Sequence, residues 1–202
     1  MPATPPPRTW ILPEEPAPVR LMSTIWADAA GPHDDFGAPA DLDAWLEAVG
    51  VPLTGAHAGA AELADAIRLR DAVRRLAGHV TGDTREAAAS ALTSVEDAVA
   101  VLNEAAGHRA GPRLANHGGQ LRATSDDSVS AVRAGLAAIA EQSIGLLGGE
   151  AAGTLRACYA PGCVLYFAKS HPRREWCSVG CGNRIRAARH YERVRAQGRA
   201  PR

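Results

Sequence analysis

CYAPGC (158–163) and, thirteen residues further on, CSVGC (177–181) contain all four cysteines of this 202-residue chain. Two close pairs across a short loop are how a chain brings four thiolates to one tetrahedral zinc ion. Pro161 and Gly162 favour a tight turn within the first pair. The second pair falls at the expected start of a helix, where a spacing of four puts both side chains on one face and the helix N-terminus favours thiolate over thiol. Two disulfides are the competing chemistry. The Pro-rich start, however, lacks the basic-then-apolar pattern of a secretion signal, so zinc is expected, with an iron–sulfur cluster as a lesser alternative. Four thiolates leave no open position for water. The expectation is therefore one structural zinc held by Cys158, Cys163, Cys177 and Cys181.

Downstream of the metal pairs, Arg186, Arg189 and Arg193 fall in one narrow arc of a helical wheel, and Ile185, Ala188, Tyr191 and Val194 lie on flanks able to pack inward. Arg184 and Arg195 form a second basic edge, and Arg173 and Arg174 lie in the loop between the pairs. Guanidinium forks suit phosphate oxygens and guanine edges, and Asn183 suits adenine or a helix cap. The candidate DNA contacts are thus Arg173, Arg174, Asn183, Arg184, Arg186, Arg189 and Arg193. Trp176 and Phe167 read as covers over the zinc.

Charge separates along the chain. Up to Gly153 there are 11 arginines against 20 acids, a balance of −9; from Thr154 ten arginines and the single lysine face two acids, a balance of +9. A basic segment on an acidic body implies a polyanionic partner, or else docking of the tail on its own body. No stretch reaches the roughly 18 apolar residues of a membrane span, so no membrane association is expected and the protein reads as soluble and cytoplasmic.

Upstream of the finger the pattern is mainly helical. Residues 1–18 hold seven of the fourteen prolines and read as a flexible arm. The apolar run 19–26 fits strand or helix. Asp41 is placed to cap a short helix through Leu42, Trp45, Leu46 and Val49, closed by Gly50. A longer helix at 58–80 carries Leu63, Ile67, Val73, Leu76 and Val80, with Arg68, Arg70, Arg74 and Arg75 mostly on other faces. Asp83 or Thr84 is expected to cap a helix from Ala88 to Ala106. Segments around Gly118-Gly119 read as a β-hairpin, and Asp126 or Asp127 as the cap of a last helix through Val132, Leu136, Ile139 and Leu146, closed by Gly148-Gly149. The expected fold is mainly α with a small β-hairpin (α+β). It comprises a helical domain over 19–150 and a small four-cysteine zinc finger with a basic helix over 154–202. Trp26, His33, Asp35 and Trp45, around an irregular loop, are candidate linings of a small-molecule pocket.

The string L-R-A-C-x4-C-x3-F, followed by R-R-E-W-C-S-x2-C-G-N-R, resembles the CGNR zinc-finger family, whose signature is Cys181-Gly182-Asn183-Arg184. The segment from Val19 through DDFGAPADLDAWL, the Arg70 helix, the hairpin and the helix before Leu155 resemble that family's N-terminal ABATE domain. The resemblance implies a bacterial stress-responsive transcription regulator with a sensing domain and a DNA-binding finger. Three departures stand out: Ser23-Thr24 replaces the common Asn-Thr, Lys169 replaces an acid, and the finger spacings are longer.

The leading expectation is a DNA-binding regulator whose body senses an effector or partner, with a homodimer if its operators are symmetric. The alternatives are an interaction adaptor with a basic docking tail, and a thiol or zinc redox sensor. No phosphate loop, nucleophile elbow or open metal site is present, so no enzyme activity is expected.

Overall fold

The computed structural model describes residues 12–109, 111–125 and 129–197. Helix α1 (Ala17–Met22) leads into a hairpin of β1 (Ile25–Asp28) and β2 (Gly31–Asp34), then α2 (Pro39–Ala48) and the long α3 (Ala60–Thr81). A 3-10 turn at Glu86–Ala88 precedes α4 (Val95–Gly107), the hairpin β3 (Pro112–His117) and β4 (Gln120–Ser125), and α5 (Ala131–Gly148). A second 3-10 turn, Glu150–Thr154, delivers the chain to β5 (Leu155–Ala157), β6 (Tyr166–Ala168) and α6 (Val179–Gln197). Each strand pair is antiparallel and two-stranded, so the α+β expectation holds with more hairpins than the one foreseen.

α3 is the axis: α1, α2, α4, α5 and β5 all pack on it. A helix surrounded this way must bury more than one stripe, and it does. Ala66, Leu69, Ala72, Val73, Leu76 and Ala77 are buried, whereas Val80 at its end is 41% exposed. Arg70 and Arg74, read as outward-facing, are 3% and 1% exposed. Arg70 pairs with Asp34 at 2.6 Å and Asp71 at 3.2 Å, and Arg74 donates to Met22 O at 2.9 Å and Ala88 O at 3.1 Å. Burial of a guanidinium is tolerated where such acceptors converge on it.

The helix ends depart from the expected caps by a few residues. Asp41 is the third residue of α2, not its cap, and its Oδ2 accepts from the Gly37 and Ala38 amides at 2.9 and 2.8 Å, which is the return half of a capping box. Ser94 and Ser130 cap α4 and α5, their hydroxyls accepting from Asp97 N and Arg133 N. The helix expected from Asp83 therefore begins only at Val95, and Asp126 and Asp127 lie outside the described residues. Gly82, at φ 62°, ends α3 in the left-handed conformation that suits glycine. Gly118 and Gly119 also have positive φ and turn the β3–β4 hairpin as expected.

Two positions fix the packing. Within α5, a Cβ on Gly135 would stand 2.5 Å from Val51 Cγ1, so only glycine lets that loop approach the helix. Of the stretch expected to be a flexible arm, residues 12–18 are described and pack on the body. Glu15 and Pro18 are buried, and α1 already starts at Ala17.

Candidate metal centre

β5 and β6 form the hairpin from which the first cysteine pair hangs, with Arg156 opposite Phe167 and Ala157 opposite Tyr166. Cys158 N donates to Leu165 O at 3.0 Å and Cys163 N to Ala160 O at 2.9 Å, and Gly162 takes the turn at φ 71°. Cys177 lies just before α6 and Cys181 in its first turn. Ser178 joins them: its Oγ accepts from Cys181 N at 3.2 Å and its carbonyl from Gly182 N at 3.1 Å. The second pair thus brackets a helix start instead of sitting within the helix. A Cβ on Gly182 would lie 3.2 Å from Trp176 Cδ1, which is why the indole can close over the helix start.

All four sulfurs are buried and lie within 4.8 Å of one another. Cys163 and Cys177 Sγ are 3.8 Å apart, Cys177 and Cys181 Sγ 3.3 Å. A tetrahedron of sulfurs at the usual zinc–sulfur distance of ~2.3 Å has edges of about 3.8 Å, so the cage fits one zinc ion. Four thiolate donors close such a site, and the zinc is structural. The Arg184 guanidinium donates to Cys181 Sγ at 2.8 Å, which favours the ligating thiolate.

The cage is gripped from the body by side chains that sequence reading missed. Arg85 Nη1 donates to Cys158 O at 2.6 Å and Cys163 O at 2.7 Å, while its Nε and Nη2 clasp Asp83 at 2.8 and 2.7 Å. Asp83 also accepts from the Tyr166 hydroxyl at 2.8 Å. Burial opposes ionisation of Asp83, but the bonds from Arg85 and Tyr166 outweigh it and hold its pKa below the usual value. On the other side, Glu15 pairs with Arg174 at 2.5 Å and accepts from Ala168 N at 2.9 Å. The one available signal was an acid and a base two apart directly after a helix-ending glycine, 82–85.

The seven candidate DNA contacts separate into two groups. Arg174 donates to Ala168 O at 3.0 Å, Trp176 O at 3.3 Å and Cys177 O at 2.8 Å, so with Glu15 it braces the finger. Arg184 Nη2 donates to Cys181 Sγ at 2.8 Å, and Asn183 Oδ1 accepts from Arg186. Arg173, Arg186, Arg189 and Arg193 are exposed, as is every residue from 189 to 196. Of the flanking apolar residues, Ile185 packs against the cysteine cluster, whereas Tyr191 and Val194 are 68% and 52% exposed and do not pack inward. Phe167 is buried among the cysteines, with Trp176 partly buried against them.

Three of the four candidate pocket residues, Trp26, His33 and Asp35, meet at the β1–β2 hairpin. Trp45 is fully buried, edge-on to Phe36 at 5.8 Å. Trp26 stacks on His33 across the β1–β2 hairpin at 4.0 Å and donates to Asp35 at 3.0 Å. These are packing and surface roles. No described helix is long and apolar enough to cross a membrane.

Residues 15–150 match the family model ABATE, described as a putative stress-induced transcription regulator. Residues 154–194 match the CGNR zinc finger. No curated protein matches the chain.

Proposed function

The chain belongs to the ABATE family and carries a CGNR zinc finger, and from that membership we propose that it is a DNA-binding transcription regulator whose body senses a ligand or partner. Neither matched description names a catalytic activity. The observation that carries the reading is the state of α6: its base is pinned to the zinc cage through Cys181 and Ile185, and along its length Arg186, Arg189 and Arg193 are exposed. A rigidly held, exposed basic helix suits a DNA groove, with the arginines on phosphates and, by reach, base edges. The zinc, when bound, fixes the direction of that helix. Asp83, Arg85, Glu15 and Arg174 then fix the cage to the body, so a change in the body would be felt at the helix.

Fluorescence anisotropy of the zinc-loaded chain on a random-sequence duplex across a salt series tests this. Binding should weaken steeply with salt, and the Arg186→Ala/Arg189→Ala/Arg193→Ala variant should lose most of it, with a log–log slope shallower by roughly three. Equal binding by wild type and variant would sink the assignment of α6.

A further inference from the structure

The C-terminal part of α3 and the segment returning over it enclose a cleft of about 550 Å³. Arg74 and Tyr166 line it, together with Arg75, His79, Arg85 and Thr93. Arg74 is the unusual member. It is 1% exposed, lies 5.6 Å from the centroid of the Tyr166 ring, and is held by the carbonyls of Met22, Ala88 and, at 3.4 Å, Val164. Its buried Nε has no hydrogen-bond partner. Among the described residues no carboxylate pairs with it, whereas Arg70 one turn earlier has two, and Arg85 has Asp83.

Removing a guanidinium from water costs several kcal/mol unless a counter-charge offsets it, and carbonyl dipoles offset only part. The two acids of the cleft do not close the balance. Asp83 is engaged by Arg85 and Tyr166, and Glu86 stands exposed at the rim. Arg75, anchored by its Nε on Thr93 O at 2.7 Å, keeps its other nitrogens for a ligand, and His79 is exposed beside it. The result is an open cavity over a buried guanidinium that no carboxylate among the described residues pairs with directly, Asp71 acting on it only at longer range, with Arg75 and Arg85 on the walls.

We propose that this cleft binds a small oxyanion, the carboxylate or phosphate group of a metabolite, and is the site at which the body senses its effector. The inference rests on reading the body as a sensor. Its route to the finger is short, because Arg85 lines the cleft and also donates to the carbonyls of Cys158 and Cys163. An oxyanion in the cleft competes with Asp83 for Arg85 and so alters the hold on the first cysteine pair.

Calorimetric titration of the zinc-loaded full chain with inorganic phosphate, and separately with succinate, tests the site without DNA. Arg74 braces three segments, so the variants are placed at the rim. Saturable binding by either anion is expected, weakened at least about tenfold in Arg75→Gln/His79→Gln and unchanged in Arg186→Ala/Arg189→Ala/Arg193→Ala. The tighter of the two anions identifies the group recognised. The proposal is overturned by equal affinity in the rim variant, by loss in the α6 variant, which would place the anion on the basic helix, or by no saturation up to about 20 mM of both. Failure of DNA binding would leave this titration standing, and failure of the titration would leave the DNA assignment standing.

Discussion

At the scale of single residues, Arg184 and Tyr166 carry the most testable chemistry. Arg184 donates to Cys181 Sγ at 2.8 Å, and a charged donor on a ligating sulfur stabilises the thiolate and slows its protonation. Arg184→Ala should speed transfer of zinc to a colorimetric chelator by about tenfold or more, with Arg184→Lys in between; a wild-type rate in both variants would mean the contact is incidental. Tyr166 is pushed up to about 12 by burial and by its bond to Asp83. A folded-state pKa above the unfolded value of about 10 stabilises the neutral phenol below pH ~10, and that stability is lost as pH rises through ~12. Tyr166→Phe should be less stable by about 1–2 kcal/mol at neutral pH and show a flatter alkaline decline in urea unfolding. An unchanged decline would remove the phenol as its cause. The zinc ligands were legible because their spacing alone restricts the geometry. Arg74 was not, since its acceptors come from positions 22, 88 and 164, which no local pattern connects.

At the scale of elements, the contact between Gly135 and Val51 sets how closely the 49–56 loop lies on α5. Gly135→Ala gains helix propensity worth ~1 kcal/mol but forces a methyl 2.5 Å from Val51 Cγ1, and overpacking costs about 1–3 kcal/mol. A net loss of stability is expected in denaturant unfolding, recovered in Gly135→Ala/Val51→Ala as a positive coupling between the two sites. Strict additivity would contradict the contact. Helix existence was readable from apolar spacing: α3, α5 and the β3–β4 hairpin lie within a few residues of their expected bounds. What failed was the continuation of periodicity through 83–94, where Ala88 and Leu92 match a helical seam but belong to a 3-10 turn and a loop. Asp83 and Arg85, facing the finger, hold that segment away from helix. α3 likewise defied a one-stripe reading because it is packed on several sides, and sequence periodicity assumes one buried face.

At the scale of the molecule, body and finger share a core. Leu155, Ala157 and Tyr166, from the finger's own hairpin, belong to the cluster built on α3, while Leu12 touches both clusters. Charge divides the chain at Gly153, but that division gave no indication that the two segments meet through Glu15–Arg174 and the bonds of Asp83 and Arg85. Because they dock, Arg85→Ala should loosen the zinc cage without removing a ligand, seen as faster hydrogen exchange at 158–165; protection equal to wild type would show the finger to be self-sufficient. One structural zinc would set the direction of the arginine helix that we propose binds DNA. Zinc titrated into the metal-free chain, with circular dichroism and the anisotropy of a labelled duplex read together at low salt, tests it most directly. Helix content and DNA affinity should rise in step and level off at one zinc per chain. A metal-free chain that binds the duplex as tightly as the loaded one, or a loaded chain that does not bind it, would contradict that role of the zinc.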